Sequence, residues 1–263
     1  MKKILSLLLL AAVLCTGLVG CNKGNDEDTL VCGVTIIPGL NEKDKDGNWI
    51  GFESEFAMAV AEILEMDVEF QEITWSQKFN ELNSGAIDCV WNGFTANADE
   101  NGVKRSDLCD FSYGYMLNQQ CIVVKKDNVA SYKSPADLAG KSCCVEGGSA
   151  GDTYAKTVNA SEIVAAEAQI NAFTEVKSGA VDFIVVDILL AQNICGKGNY
   201  TDLAIVEDIE LDSEIYAIGF KKGSDLTAKV NSAIKTLYEN GKLMEIATKY
   251  GFENVIKITE KID

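Results

Sequence analysis

The chain holds a guanidinium, a strand-end carboxylate and a glycine-rich turn, residue types suited to holding a small molecule that carries charges of both signs. Arg105 offers a forked, permanently charged donor able to pair bidentately with a carboxylate. Asp187 closes the largely apolar run Val181–Val186 and offers an anion to an ammonium. Glu146-Gly147-Gly148-Ser149-Ala150-Gly151 is a glycine-rich turn opening a helix, so N–H groups near Ser149 and Ala150 would meet an anion at a positive helix end. Trp91-Asn92-Gly93-Phe94-Thr95 follows a second apolar run and adds further polar candidates. The chain has no histidine, so acid–base catalysis would fall to carboxylates, lysine or tyrosine. Asp187 and Glu146 could be cast as such a pair, but holding a zwitterion already accounts for Arg105 and Asp187 together.

Metal chemistry finds little support. Nine cysteines occur without a C-x-x-C spacing, and no imidazole is available to complete a zinc site. Cys32, Cys89, Cys121 and the Cys143-Cys144 pair lie in apolar runs, where a thiol serves as a small buried hydrophobe. Free thiols on an exported protein would suit a host living with little oxygen. No metal and no cofactor is expected.

These candidates need elements to position them, and the hydrophobic pattern alternates strand and helix throughout. Leu30–Ile37 reads as a buried strand. Phe52, Phe56, Val60, Ile63 and Leu64 recur at helical spacing, and Val68–Ile73 alternates as a strand. A short helix around Phe79 and Leu82 should stop at Gly85, before a strand over Ile87–Trp91. Cys121–Val124, Ser142–Val145, Ile163–Ala165 and Val181–Val186 read as further strands. Ser134-Pro135 begins a short helix, and Ser224 is expected to cap one carrying Leu226, Val230, Ile234 and Leu237, broken at Gly241. Asn83-Ser84-Gly85-Ala86-Ile87-Asp88-Cys89-Val90 is nearly repeated as Lys177-Ser178-Gly179-Ala180-Val181-Asp182-Phe183-Ile184, which points to two α/β lobes of similar plan. In open α/β sheets ligands bind beyond the carboxyl ends of strands, where Thr95 and Asp187 fall.

The N-terminus reads as an export signal. Met1-Lys2-Lys3 is cationic, Ile4–Val19 is apolar but shorter than a membrane span, and Leu18-Val19-Gly20-Cys21 resembles a lipoprotein cleavage box. Residues 1–20 would then be removed, Cys21 lipidated, and 21–29 left as a flexible tether anchoring an extracytoplasmic body to the membrane. The formal charge of −17, which loss of Lys2 and Lys3 makes more negative, argues against nucleic acid or an anionic membrane surface as a partner.

Ordered landmarks then carry a family resemblance. Gly51-Phe52-Glu53, Ser84-Gly85-Ala86-Ile87-Asp88, Asp110-Phe111-Ser112 and Asp137-Leu138-Ala139-Gly140-Lys141 together resemble the polar amino-acid-binding family of bacterial ABC-transporter substrate-binding proteins (family 3), across residues 29–255. The resemblance implies a type II periplasmic-binding-protein clamp with a mixed sheet flanked by helices in each lobe, residues 30–118 plus 215–263 forming one lobe and 119–214 the other. It implies hinges near Leu117–Gln120 and Ser213–Tyr216. It implies that Arg105, aided by Thr95 and N–H groups near Ser149, takes the α-carboxylate, while Asp187 and the Gly93 carbonyl hold the α-ammonium. Trp75, opening the second helix, would lie against the ligand side chain. The implied protein is a monomer that delivers a free, polar amino acid to an ABC permease and ATPase. A sensor domain is the alternative, although such domains usually adjoin a transmembrane helix and this chain runs to Asp263 without one; a dehydratase-type enzyme on the same clamp is another.

The chain departs from that family pattern in places. Asn97–Lys104 looks like an insertion, so Arg105 is placed by counting back from Phe111 and could instead lie on the surface. Thr35 and Leu40-Asn41-Glu42 stand where an aspartate and an aromatic pair are common. Glu146 replaces a residue that often meets the ligand side chain, and either pairs with a polar or cationic group or faces solvent. Trp91 continues its strand's apolar run and reads as core; Tyr113 and Tyr115 are read equally as cleft or hinge packing.

Overall fold

The computed structural model describes residues 28–262. The export signal, the lipidation position Cys21 and most of the tether lie outside the described residues. Among the described residues no helix is long and apolar enough to cross a membrane.

Two sheets, each with helices on both faces, build two lobes. In the first the strands run Asp67–Glu72, Thr29–Val34, Cys89–Val90, Gly219–Phe220, Asp110–Phe111, the leading three parallel and the last two antiparallel to their neighbours. Strand Thr29–Val34 is apolar without alternation because both its faces are covered. Leu30, Cys32 and Val34 pack with Phe52, Phe56 and Val60 of helix Phe52–Leu64, whereas Val31 packs with Trp75 and Leu82 on the opposite side. The second sheet runs Glu162–Ala166, Ser142–Glu146, Phe183–Asp187, Gly114–Lys125, Leu203–Ile205. Its residues divide in the same way: Cys144, Ile184 and Val186 face Phe173, and Cys143, Val145 and Phe183 face Leu138 and Ala155.

Strand Gly114–Lys125 joins the lobes. Its later half pairs with Phe183–Asp187 and Leu203–Ile205, and its earlier half with Ser213–Tyr216 and Ile256–Thr259. The expected strand at Cys121–Val124 is thus the far end of a 12-residue element. Other boundaries also move. The Ile87–Trp91 run contributes only Cys89–Val90 to the sheet, and Asp225, one residue beyond Ser224, sits at the N-cap of helix Leu226–Glu239.

The internal echo has a structural meaning. Helices Lys78–Ser84 and Gln169–Ser178 end at Gly85 and Gly179, both left-handed with φ of 76° and 83°. The aspartate that follows ties the strand it precedes to the parallel strand beside it. Asp88 accepts from the Val31 N–H at 2.8 Å, and Asp182 accepts from the Ser142 N–H at 2.9 Å. The seven cysteines within the described residues are all free thiols, six buried and Cys195 half-buried. Burial pushes Cys109 and Cys143 up to about 12, and Cys144 and Cys195 up to about 11, so these stay protonated. Trp91 is core, its ring edge-on to Phe56 with centroids 5.3 Å apart, and Tyr115 is fully buried, its hydroxyl donating to Glu53 at 2.7 Å.

Candidate ligand-binding cleft

A narrow, tightly closed cavity lies between the lobes, walled by Ile37, Trp75, Asn92, Gly93, Thr95 and Arg105 on one side and Glu146, Ser149, Ala150, Gln169 and Asp187 on the other. The eight residues singled out in the sequence all come onto these walls.

Arg105 begins the short helix Arg105–Leu108 and is 1% exposed, which removes the surface reading. Its Nη1 donates to the Thr95 carbonyl at 3.0 Å and its Nη2 to the Gly148 carbonyl at 3.0 Å. Its Nε donates to Glu100 at 3.2 Å, and the Phe94 ring lies 5.1 Å from its Cζ. Opposite, Asp187 ends strand Phe183–Asp187 and accepts from three side-chain amides: Asn118 at 3.1 Å, Gln169 at 2.6 Å, and Gln120. Burial raises its carboxyl above the usual range, opposed by those amide donors.

Two further carboxyls share this interior. Glu146, last residue of strand Ser142–Glu146, is 2% exposed, and its Oε1 has no hydrogen-bond partner. Burial, then the Asp187 charge, pushes Glu146 up to about 8 against the opposing pull of Lys78. The solvent-facing alternative for Glu146 is therefore excluded. Glu214 lies on strand Ser213–Tyr216 and accepts from the Thr95 hydroxyl at 3.1 Å, Asn118 at 2.6 Å and Gln120 at 3.0 Å. Burial and Asp187 raise it to about 7.

Several expected donors are already engaged. The Thr95 hydroxyl donates to Glu214, so Thr95 meets Arg105 through its carbonyl instead. The Ser149 N–H donates to the Glu146 carbonyl at 3.1 Å, and the Ser149 hydroxyl caps helix Ala150–Ala155 by accepting from Asp152. Ala150, at the first position of that helix, is then the turn's available backbone donor. Trp75 opens a single 3₁₀ turn ahead of helix Lys78–Ser84, edge-on to Phe94 at 5.3 Å. Gly93, at a φ of 58°, packs so closely on the Tyr216 ring that an added Cβ would meet it at 2.9 Å.

Sequence reasoning passed over Lys78, Glu100, Asn118, Gln120, Gln169 and Glu214. Asn118, Gln120 and Glu214 had a signal, since they are polar residues recurring on alternate positions of strands that are otherwise buried. Lys78 and Glu100 had none, because nothing local places them beside Arg105. A larger, solvent-open hollow meets the cleft at Thr95 and Ala150 and is rimmed by Asp99, Glu210, Asp212 and Glu214.

Residues 30–254 match the family described as bacterial extracellular solute-binding proteins, family 3. The chain is 28% identical to the arginine-binding extracellular protein ArtP of Bacillus subtilis (strain 168), over 95% of this chain and 98% of that one. It is 31% identical to the L-cystine-binding protein TcyA of the same organism, over 82% of this chain and 78% of that one. Among solved structures, an ancestral arginine-binding protein bound to arginine superposes with a TM-score of 0.76 at 31% identity, covering 85% of this chain and 98% of that one. The shared architecture is the type II periplasmic-binding-protein clamp. A continuous match from the first strand to beyond the last helix, on this two-lobed frame, establishes that the chain belongs to the bacterial extracellular solute-binding proteins, family 3.

Proposed function

We propose that this protein binds one free amino acid between its lobes and delivers it to an ABC importer, and that the cargo has a cationic side chain. The observation that carries the reading is the pairing of opposite charges across one buried cavity: Arg105 on one wall, and on the other Asp187 with Glu146, one of whose oxygens has no partner. Arg105 takes the α-carboxylate, with the Ala150 N–H of the glycine-rich turn beside it and Ser149 holding that turn in place. Asp187 and the Gly93 carbonyl take the α-ammonium. Glu146 is left to meet a second cation, with Trp75 along the side chain's apolar stem. The acidic hollow beside the cleft favours the approach of positively charged ligands. Arginine-binding relatives on the same clamp are consistent with this cargo.

Residues 30–118 with 215–263 form one lobe and 119–214 the other, so Arg105 and Asp187 stand on different lobes, each end of the zwitterion is held from both, and ligand favours closure. Residues 1–20 are the export signal, Cys21 carries the lipid and 21–29 tether a monomeric body to the outer face of the membrane. Catalysis is no part of this reading, because recognition alone uses Arg105, Asp187 and Glu146. The test is a thermal-shift screen against the twenty amino acids plus ornithine and cystine, since a ligand that binds only the folded state raises the melting temperature. Arginine, ornithine or lysine should give concentration-dependent increases and glutamate none. No shift from any amino acid at millimolar concentration would sink the assignment.

A further inference from the structure

Lys78 has no obvious place in a core. It is wholly buried, with Nζ lying 5.1 Å from the Trp75 ring, 4.8 Å from Phe79 and 5.9 Å from Phe94. That nitrogen donates to Glu100 Oε1 at 3.0 Å and to the Gly148 carbonyl at 3.0 Å. The other Glu100 oxygen, Oε2, accepts from Arg105 Nε at 3.2 Å and lies 3.1 Å from Nη2. Glu100 thus bridges two cations. It sits on a hairpin of strands Asp99–Glu100 and Val103–Lys104, turned by Asn101 and Gly102, inside the stretch that lengthens the interval from Thr95 to Arg105. Lobe two presses into this group. Gly148 accepts from both Lys78 and Arg105, and an added Cβ there would meet Glu100 Oε1 at 3.1 Å.

The arrangement poses a question of charge. Arg105 already faces a carboxylate, so Arg105 and Glu100 alone form a neutral pair with little net attraction for a second carboxylate from a ligand. Lys78 changes the count, since Lys78, Glu100 and Arg105 together carry one net positive charge. We propose that Lys78 is a positioning residue that offsets Glu100, leaving Arg105 one net positive charge with which to hold the ligand carboxylate. The proposal rests on the amino-acid reading of the cleft, and it concerns residues that stand behind Arg105 and do not line the cavity. Glu100 fixes the guanidinium edge-on through Nε and Nη2, and Lys78 prevents that restraint from neutralising it.

A purely structural triad and a charge-balancing one respond differently to paired substitution. L-arginine is titrated by calorimetry into the wild-type protein, Lys78→Met, Glu100→Gln and the double variant. Methionine suits the aromatic surroundings of Lys78. Lys78→Met should weaken binding on the order of tenfold or more, because a unit charge a few ångströms behind the binding atoms is lost. Adding Glu100→Gln should bring the affinity back to within about threefold of wild type, because Arg105 again keeps its full charge. A double variant no tighter than Lys78→Met, or a Lys78→Met protein that binds like wild type, overturns the proposal. If the wild-type protein takes no amino acid at all, the functional reading fails and melting temperatures of the same four proteins decide the charge balance. Glu100→Gln alone should then lower the melting temperature, by leaving two cations facing each other, and Lys78→Met added to it should recover the loss. Additive losses would count against the triad.

Discussion

A carboxyl at 2% exposure with one oxygen unpartnered is costly unless a donor or cation meets it, and Glu146 is in that position. Asp187 differs, because three side-chain amides spread its charge. We therefore expect Glu146→Gln to separate cargo types. Affinity for L-arginine should fall on the order of 10- to 100-fold, the scale for losing one partner of a buried charge pair. A neutral amino acid such as glutamine should bind no more weakly than before, since the glutamine introduced at position 146 carries no charge for it to lose. Calorimetric titration of both ligands checks this, and equal losses would assign Glu146 to structure. The sequence left Glu146 open between ligand and solvent, because strand position alone does not say whether a chain end is covered by a second lobe.

At the scale of elements, the long first helix depends on how its start is docked. Gly51 precedes helix Phe52–Leu64 with a φ of 107°, and an added Cβ would lie 2.2 Å from the Leu40 carbonyl oxygen. That carbonyl accepts from the Glu53 N–H at 3.0 Å, while the Gly39 carbonyl accepts from Phe52 at 3.0 Å. Gly51→Ala thus meets both a forbidden backbone region and a clash with fixed backbone, and should cost about 2–4 kcal/mol. Urea denaturation measures it, and a loss below about 1 kcal/mol would show that the turn at 37–41 yields. The cleft should keep its ligand in the folded fraction, because Gly51 lies away from its walls. Helix positions and stops were legible here from apolar spacing and from Gly85, Gly179 and Gly241, each of which takes the left-handed conformation. Strand ends were less so. The run from Gly114 to Lys125 changes partners midway, and no local pattern announces that one strand serves two lobes.

Across the whole molecule, the buried acids tie stability to pH. Glu53 is raised to about 7 by burial, Glu214 to about 7 and Glu146 to about 8, from an ordinary 4.5. Between pH 5 and 8 the folded chain therefore holds protons that the unfolded chain has released, so stability falls as pH rises through this window. Without added ligand the melting temperature should be higher at pH 5.5 than at pH 7.5. A cationic ligand requires Glu146 ionised, so the thermal gain from L-arginine should grow over the same interval. Differential scanning calorimetry at the two pH values reads both trends. A melting temperature that rises toward pH 7.5 without ligand would mean that water or rearrangement satisfies these carboxyls. The protein belongs to an extracellular family, so outside the cytoplasm such a dependence is exposed to the pH of the surroundings.

What the sequence determined by itself was the alternation of strand and helix, the two-lobed plan signalled by the repeated Ser-Gly-Ala-x-Asp stretch, and the placing of candidate polar residues just beyond strand ends. These follow from local rules: apolar period, glycine stops, and an aspartate that bridges two strands in each lobe. The tertiary structure alone decided how those residues are wired. Only where the lobes meet does Gly148 reach Lys78 and Arg105 and does Glu146 lose its solvent, and only the pairing of distant strands turns the Thr95 hydroxyl to Glu214. Charge balance in a cleft is a property of groups far apart in sequence, 22 residues between Lys78 and Glu100 and 119 between Thr95 and Glu214, and no local pattern encodes it.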